Sequence, residues 1–213
     1  MCIAPVVLMA VASLTDNDVL NLYGYTYFPQ KWSLEAYEFL IKQGTVISKS
    51  FLNSVLVTFM GTALGIMVTV LLAYTISRKE LVGRKLIMLF VFFTMLFNGG
   101  MVPTYLMYYT NFHIKNTMWA LLFPHLLVNG FNVLLVRTFF NENIPEVLLE
   151  AARIDGAGEI SIFRNVVLPI SKPILATIGL LVGVGYWNDW YNGLLFVTDV
   201  NYYTLQNFLN KIM

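Results

Sequence analysis

The sequence predicts an all-α protein that crosses a membrane several times. Its residues are 58% hydrophobic and only 12% charged, with a mean hydropathy of +0.69, whereas soluble domains are about 45–50% apolar and about 25% charged. The apolar residues also cluster into long runs, each longer than the roughly 20 residues that cross a bilayer core. We therefore expect four complete transmembrane helices. The runs cover residues 51–76, 86–109, 117–140 and 174–197.

The start of the chain predicts a partial first membrane helix. Residues 2–14 are apolar but too short to span, and they lack the basic segment that opens a signal peptide. We interpret them as the outer end of a helix whose start is absent. The single cysteine, Cys2, excludes an internal disulfide framework. A net charge of +1 gives no indication of a nucleic-acid partner. We expect residues 1–213 to form one membrane domain.

The basic residues predict the orientation of the chain. Lysine and arginine gather in cytoplasmic loops, and eight of the 13 basic residues fall in or beside two loops, 77–85 and 137–172. Two membrane crossings separate these loops, so both lie on one side, which we assign to the cytoplasm. The polar and aromatic segment 15–48 and the polar segment 198–213 then lie outside.

The second cytoplasmic loop, residues 141–170, predicts a helix–turn–helix. Pro145 suits a first helical position, Glu150 can pair with Arg153, and Gly156 and Gly158 favour a break. A second short helix is expected over 159–167, ended by Leu168 and Pro169. Two interpretations are open: an interfacial helix pair resting on lipid headgroups, or a surface that docks a partner. The expected apolar face of the first helix holds Ile144, Val147, Leu148, Ala151 and Ile154.

The stretch "EAARIDGAGEISIFRNVVLP" resembles the EAA loop of binding-protein-dependent ABC transporter permeases. That pattern is E-A-A, three residues, G, nine residues, I, one residue and L-P. The spacing matches throughout, and Val166 replaces the usual isoleucine. The resemblance implies that the loop couples the chain to an ATPase. The residues that it assigns to coupling are Glu150, Ala151, Ala152, Asp155, Gly156, Leu168 and Pro169.

Other stretches resemble the carbohydrate-uptake branch of that family, in its maltose-type second-permease form. They are "NSVLVTFMGTALGIMVTVLLAYTISR", "FTMLFNGGMVPTYL" and "WALLFPHLLVNGFNVLLVRTFF". The resemblance implies a multi-pass protein of the bacterial plasma (inner) membrane with the type I ABC importer permease fold. Members of this branch usually have six membrane helices, so it also implies that this chain is a fragment.

The same resemblance implies the partners. They are a second permease in a heterodimer, a cytoplasmic ABC ATPase dimer and an extracellular solute-binding protein, all assembled around the lipid bilayer. The sequence contains no phosphate-binding loop of the form G-x-x-x-x-G-K-[ST]. We therefore expect no catalytic residue, metal or bound cofactor in this chain, and expect a partner ATPase to use ATP with Mg²⁺.

Polar residues within the apolar runs are candidates for a substrate pathway, because such residues usually face the protein interior or a water-filled path. "FNGGMVP" predicts a break at which Pro103 interrupts the helix. His125, Asn129 and Asn132 share a helix face that suits either hydrogen bonds to the second permease or the pathway. "GYWNDWYNG" suits either sugar contacts or an interfacial aromatic belt. The pathway candidates are Asn98, His125, Asn129, Trp187, Asn188, Asp189 and Asn192.

Pairs of glycines spaced four apart, Gly61 with Gly65 and Gly179 with Gly183, predict close packing between helices. They are not expected to form a site.

The function that these observations predict is a permease subunit of an ATP-driven importer of a sugar or oligosaccharide. A non-sugar cargo such as a peptide or amino acid is one alternative, and a channel or scaffold subunit is another. A membrane-embedded enzyme would need paired reactive groups, but Asp189 and His125 lie on different predicted helices.

Overall fold

The computed structural model describes residues 3–124 and 127–212, and all regular elements in these ranges are helical, as predicted. The chain divides into two compact units, residues 1–50 and 51–213. The helices of the first unit are α1 (Ala4–Ala12), α2 (Asn17–Tyr23), α3 (Glu35–Lys42) and the start of α4 (Gly44–Ser77). The second continues with α5 (Arg84–Leu96), α6 (Met101–Leu106), α7 (Trp119–Leu122), α8 (Gly130–Asn143), α9 (Glu146–Ile154), α10 (Glu159–Ile162), α11 (Leu168–Ile170), α12 (Lys172–Trp187), α13 (Tyr191–Phe196) and α14 (Leu205–Ile212).

In the first unit, contacts around Asp16 join the start of α2 to the segment between α2 and α3. This carboxylate is buried, accepts a hydrogen bond from the backbone N–H of Asp18 (3.1 Å) and lies 2.6 Å from the ammonium of Lys31. Lys31 holds the pKa of Asp16 below its ordinary value. The predicted partial membrane helix is the nine-residue α1, and Cys2 lies outside the described residues.

One of the four predicted spans is a single continuous helix. α4 has 34 residues, contains the apolar run 51–76, and is the one described helix that is long and apolar enough to cross a membrane by itself. Two bent helix pairs pass the same test: one covers the predicted run 86–109, and the other joins the loop segment 159–170 to the first part of the run 174–197. α5 is bent by 115° from the segment Met101–Asn111, and the segment Glu159–Ile170 is bent by 80° from α12. Counting each pair as one span, up to three spans are found in the described residues.

The break between α5 and α6 lies before Pro103. Gly100 takes a left-handed φ of +84°, and its N–H donates to the side-chain oxygen of Asn98 (2.9 Å). Pro103 lies in the first turn of α6, where its missing N–H has no helical acceptor to lose. The prediction of a break is confirmed, and the break contains Gly99, whose carbonyl could not pair with Pro103 in a continuous helix.

The third run, 117–140, contains two separate helices. α7 ends at Leu122 and α8 begins at Gly130, while Asn129 has extended backbone. The side-chain oxygen of Asn129 accepts hydrogen bonds from the N–H groups of Phe131 (2.9 Å) and Asn132 (3.4 Å). Asn129 therefore caps a new helix, and the prediction that Asn129 and Asn132 lie along one continuous helix is wrong. His125 itself lies outside the described residues.

α4 and α12 pack closely through their glycines, as predicted. A Cβ atom on Gly61 would meet the ring of Tyr186 at 2.4–2.6 Å, and one on Gly65 would lie 3.2 Å from Val182. Tyr186 is buried, and its hydroxyl donates to the carbonyl of Leu122 (2.8 Å). The glycines thus admit an aromatic ring that joins α4, α7 and α12.

The end of the chain is fastened to the beginning of the second unit. The amide of Asn53 donates to the carbonyls of Asn201 (2.9 Å) and Tyr203 (3.0 Å), and the hydroxyl of Ser54 accepts from the N–H of Leu205 (2.8 Å). These bonds fix the start of α14 against α4.

The packing of Gly61 predicts a stability defect for Gly61→Ala. Because the buried ring of Tyr186 would have to move, the free energy of unfolding should fall by about 1–3 kcal/mol. The matched control is Gly44→Ala in the same helix, where an added Cβ meets nothing within 4 Å. Thermal unfolding of the solubilised protein checks both variants. Equal unfolding temperatures for the two variants would contradict this packing.

Candidate functional site: a loop fastened to the long membrane helix

The first helix of the loop is α9, and its start differs from the prediction. Pro145 has φ −59° and ψ 132°, so it precedes the helix, and Glu146 is the first helical residue. Pro145 therefore belongs to the short extended segment, residues 144–145, that connects α8 to α9. Glu146 still lies in the first turn, where the helix dipole favours a carboxylate.

The turn after α9 has the predicted glycine geometry. Gly156 has a φ of +81°, a region that residues with a Cβ rarely adopt. Its N–H donates to the carbonyl of Arg153, and the N–H of Ala157 donates to that of Ala152, both at 3.0 Å. Gly158 is extended and precedes α10. The chain therefore reverses sharply between two rigid helical segments.

The second helix of the loop continues beyond Leu168 and Pro169, contrary to the prediction. α10 passes through a π-helical turn, Phe163–Val167, into the three-residue α11, in which Pro169 is the second residue. The bend comes at Ser171, before α12.

Arg153 fastens the loop to the inner end of α4. Its Nε donates to Glu159 Oε1 (2.9 Å), and its Nη1 donates to Glu80 Oε1 (3.1 Å). The predicted pair with Glu150 is wrong, because Arg153 turns toward carboxylates on other elements. Glu159 also accepts a hydrogen bond from the hydroxyl of Tyr74 (2.7 Å). One guanidinium thus links both helices of the loop to the region where α4 ends.

Neighbouring contacts strengthen this connection. Lys79 Nζ lies 2.7 Å from Glu146 Oε2, while the guanidinium of Arg78 lies 4.7 Å from the centre of the Tyr74 ring. The Tyr74 ring also packs against Phe163, with centroids 4.9 Å apart. The pKa of Glu80 is lowered by its own backbone N–H and then by Arg153. Single exposed ion pairs contribute about 0–1 kcal/mol, so the fastening depends on the whole network.

The loop buries one set of apolar residues and exposes another. Ile144, Leu149 and Ile162 are buried. Val147, Ile154 and Ile160 are 74%, 86% and 83% exposed, and we call these three residues the exposed apolar patch. The predicted apolar face of α9 therefore does not pack as a unit within this chain, because Ile144 and Leu149 make the inward contacts.

The residues assigned to coupling lie mostly on the surface. Ala152 and Leu168 are partly buried. Their role in coupling stays a prediction. The exposed members are Glu150, Ala151, Asp155, Gly156 and Pro169.

The polar residues near the end of α12 serve local structure. Trp187 is the last residue of α12 and meets Phe51 edge-on, with centroids 6.0 Å apart. The Asn188 amide donates to the carbonyl of Val184 (3.0 Å). Asp189 Oδ1 accepts from the N–H groups of Tyr191 (3.1 Å) and Asn192 (3.2 Å).

These contacts end the predicted continuous span 174–197 at Trp187 and start α13. Asn192 is buried, and its amide donates to the carbonyl of Pro124 (3.0 Å). The exposed Asn98 lies at a different helix break. Substrate contacts by these residues remain a prediction.

Sequence reasoning missed Tyr74, Lys79 and Glu80 as parts of the site. A tyrosine hydroxyl at the inner end of an apolar run, one turn before Arg78, was the available signal. The pairing of Glu80 with a residue 73 positions away leaves no such pattern.

Comparisons with known proteins identify the family. The family described as "binding-protein-dependent transport system inner membrane component" matches residues 61–210. The polygalacturonan/rhamnogalacturonan transport system permease protein YtcP of Bacillus subtilis (strain 168) is 37% identical over 212 residues, which cover 100% of this chain and 73% of YtcP. The trehalose/maltose transport system permease protein MalG of Thermococcus litoralis is 30% identical over 201 residues, covering 93% of this chain and 71% of MalG.

A solved structure supports the same assignment. The crystal structure of a bacterial ABC transporter involved in the import of the acidic polysaccharide alginate contains a chain that matches with a TM-score of 0.86 and 27% identity. The match covers 99% of this chain and 74% of that one. The chain therefore belongs to the inner-membrane components of binding-protein-dependent transport systems, the multi-pass ABC permeases that its EAA-like loop resembles.

Proposed function

We propose that this chain is one of two permease subunits of an ATP-driven importer that carries a sugar or oligosaccharide delivered by an extracellular binding protein. The names of the relatives support this cargo class: YtcP is named for polygalacturonan and rhamnogalacturonan, MalG for trehalose and maltose, and the solved transporter for alginate. The cargo would cross between this chain and a second permease by alternating access.

The observation that carries the proposal is the two-sided character of the loop. One side is fastened to the α4 end through Arg153, while the other presents the exposed apolar patch. Exposed apolar clusters with a polar surround are typical of interaction sites. We assign the patch to docking on a cytoplasmic ATPase dimer. That dimer would hydrolyse ATP with Mg²⁺, because the sequence of this chain contains no phosphate-binding loop.

The hydrogen bonds from Arg153 to Glu80 and Glu159 suggest how the loop transmits motion to α4. α4 is a continuous helix of 34 residues, so a displacement applied to the loop at Arg153 and Glu159 reaches the far end of α4 without an intervening hinge. The close packing of Gly61 against Tyr186 extends that connection to α12. Docking and undocking of the ATPase halves would then rock these helices together.

We assign the lining of the substrate pathway to residues at the helix breaks. Non-helical backbone at membrane depth is tolerated where it is buried in protein or lines a water-filled cavity. The breaks at 97–100 and 188–190 expose Asn98 and Asn188, which could hydrogen-bond sugar hydroxyls. Uptake by the reconstituted complex, compared among an alginate oligosaccharide, a maltose-type oligosaccharide, a peptide and an amino acid, tests the cargo class. Preferential uptake of the peptide or amino acid would overturn it.

Replacing Ile154 by aspartate should abolish ATPase association. A charge in a desolvated apolar contact costs several kcal/mol, which corresponds to a loss of at least about 100-fold in affinity. Co-purification of the candidate ATPase with the tagged complex measures the effect. The matched control is Val82→Asp, because Val82 is 96% exposed but lies in the other cytoplasmic loop. Equal ATPase recovery with both variants would refute docking through the patch.

Replacing Arg153 by glutamine should uncouple transport while leaving the ATPase bound. Loss of both carboxylate contacts loosens the loop by about 1–2 kcal/mol, so transport per ATP hydrolysed should fall about tenfold. The ratio of uptake to ATP hydrolysis in proteoliposomes measures the coupling. Arg164→Gln is the control, because Arg164 is exposed and makes no ion pair among the described residues. An unchanged ratio in the Arg153 variant would contradict this role.

A further inference from the structure

A cavity lies beside the loop on the face that the basic residues assign to the cytoplasm. It has a volume of about 430 Å³ and is bounded by the end of α4, the segment that leads into α5, the second half of α8 and the start of α9. Five basic and three acidic side chains line it. The excess of positive charge favours the binding of an anion in this cavity.

Two of the basic side chains that line the cavity, Arg84 and Arg137, are available to bind an anion. Lys79 and Arg153 already pair with Glu146 and with Glu80. In the part of the chain that the structure describes, Arg84 and Arg137 have no carboxylate within ion-pair distance. The Nε of Arg137 is also buried without a hydrogen-bond partner there. An unsatisfied buried donor costs about 1–3 kcal/mol, and more when it is charged, so an added acceptor for this Nε–H would be stabilising.

The position of the cavity favours a phospholipid headgroup. Ser77 ends the long membrane helix, Arg84 begins α5, and Arg137 lies in α8, so these residues stand where membrane helices reach the inner surface. Basic pockets between membrane helices on the cytoplasmic side bind anionic lipid headgroups. Arginine is suited to phosphate because its planar guanidinium can donate two parallel hydrogen bonds.

We propose that this cavity binds the phosphate of an anionic phospholipid of the phosphatidylglycerol type, held by Arg84 and Arg137. Because Glu146 and Arg153 of the coupling loop line the same cavity, a bound headgroup would contact the loop and the membrane helices together. The site would make the attachment of the loop sensitive to lipid composition. The proposal uses the cytoplasmic placement of the loop from the proposed function but requires no ATPase.

Lipid binding by the delipidated full chain, purified with its co-purifying subunits, tests the proposal. Native mass spectrometry would follow titration with phosphatidylglycerol, phosphatidylcholine or inorganic phosphate. The wild type should retain phosphatidylglycerol at least about tenfold better than phosphatidylcholine, as expected for one or two charge-assisted hydrogen bonds. Arg84→Gln and Arg137→Gln should each remove that preference.

The matched control is Lys85→Gln, which removes the same charge from the residue next to Arg84 but does not line the cavity. It should retain the wild-type preference. A loss as large as that of Arg137→Gln would mean a general surface-charge effect and would overturn the site. Displacement of the lipid by millimolar inorganic phosphate would assign the cavity to a free anion instead. Absence of any lipid preference in the wild type would refute the lipid proposal.

Gel filtration of each variant separates loss of binding from loss of folding. Arg84 is the first residue of α5 and is partly exposed, so its variant should leave the elution profile unchanged and keeps the test decisive even if Arg137→Gln destabilises α8. ATPase recovery measured on the same samples distinguishes failure of this proposal from failure of the docking proposal.

Discussion

The attachment of Arg153 to Glu80 and Glu159 is the interaction on which the position of the loop against α4 depends. A loop that received force from a partner without being fastened would bend at Gly156 instead of moving the membrane helices. The guanidinium prevents this by holding α9, the start of α10 and the α4 end at hydrogen-bond distance. The hydroxyl of Tyr74 adds a contact that originates inside the membrane helix itself. The loop thus becomes an extension of α4 rather than a tether.

A second constraint shapes the membrane helices. Each break in a membrane helix exposes N–H groups that water cannot reach in the bilayer core. In this chain asparagine and aspartate side chains accept those hydrogen bonds: Asn98 at the start of α6, Asn129 at the start of α8 and Asp189 at the start of α13. The same polar residues that suggest a sugar pathway are therefore needed for the breaks themselves.

The sequence predicts the parts of this structure that depend on local chemistry. Composition and run length predict the all-α membrane class, and the glycine spacing predicts the close approach of α4 and α12. Gly156 ends α9 as expected, since its left-handed φ is a local property. The EAA-like spacing predicts the family.

The parts that depend on distant contacts could not be predicted in this way. The partner of Arg153 is set by tertiary packing, which overrides the favourable spacing to Glu150. Pro145 was expected to be the first residue of α9 but lies one residue before it, and Pro169 was expected to end the second helix of the loop but lies within α11. The basic cavity likewise forms only when the two cytoplasmic loops meet.

The most direct measurement of the central claim is the distance between the loop and α4 during the transport cycle. Spin labels at Met67 and Arg164, both exposed, would report that distance by pulsed electron resonance in the reconstituted complex. If the loop and α4 move as one unit, the distance distribution stays unchanged between the nucleotide-free and ATP-bound states, while distances from either label to the partner permease change. A shift or broadening of the Met67–Arg164 distance on ATP binding would show that the loop moves independently and would contradict the account.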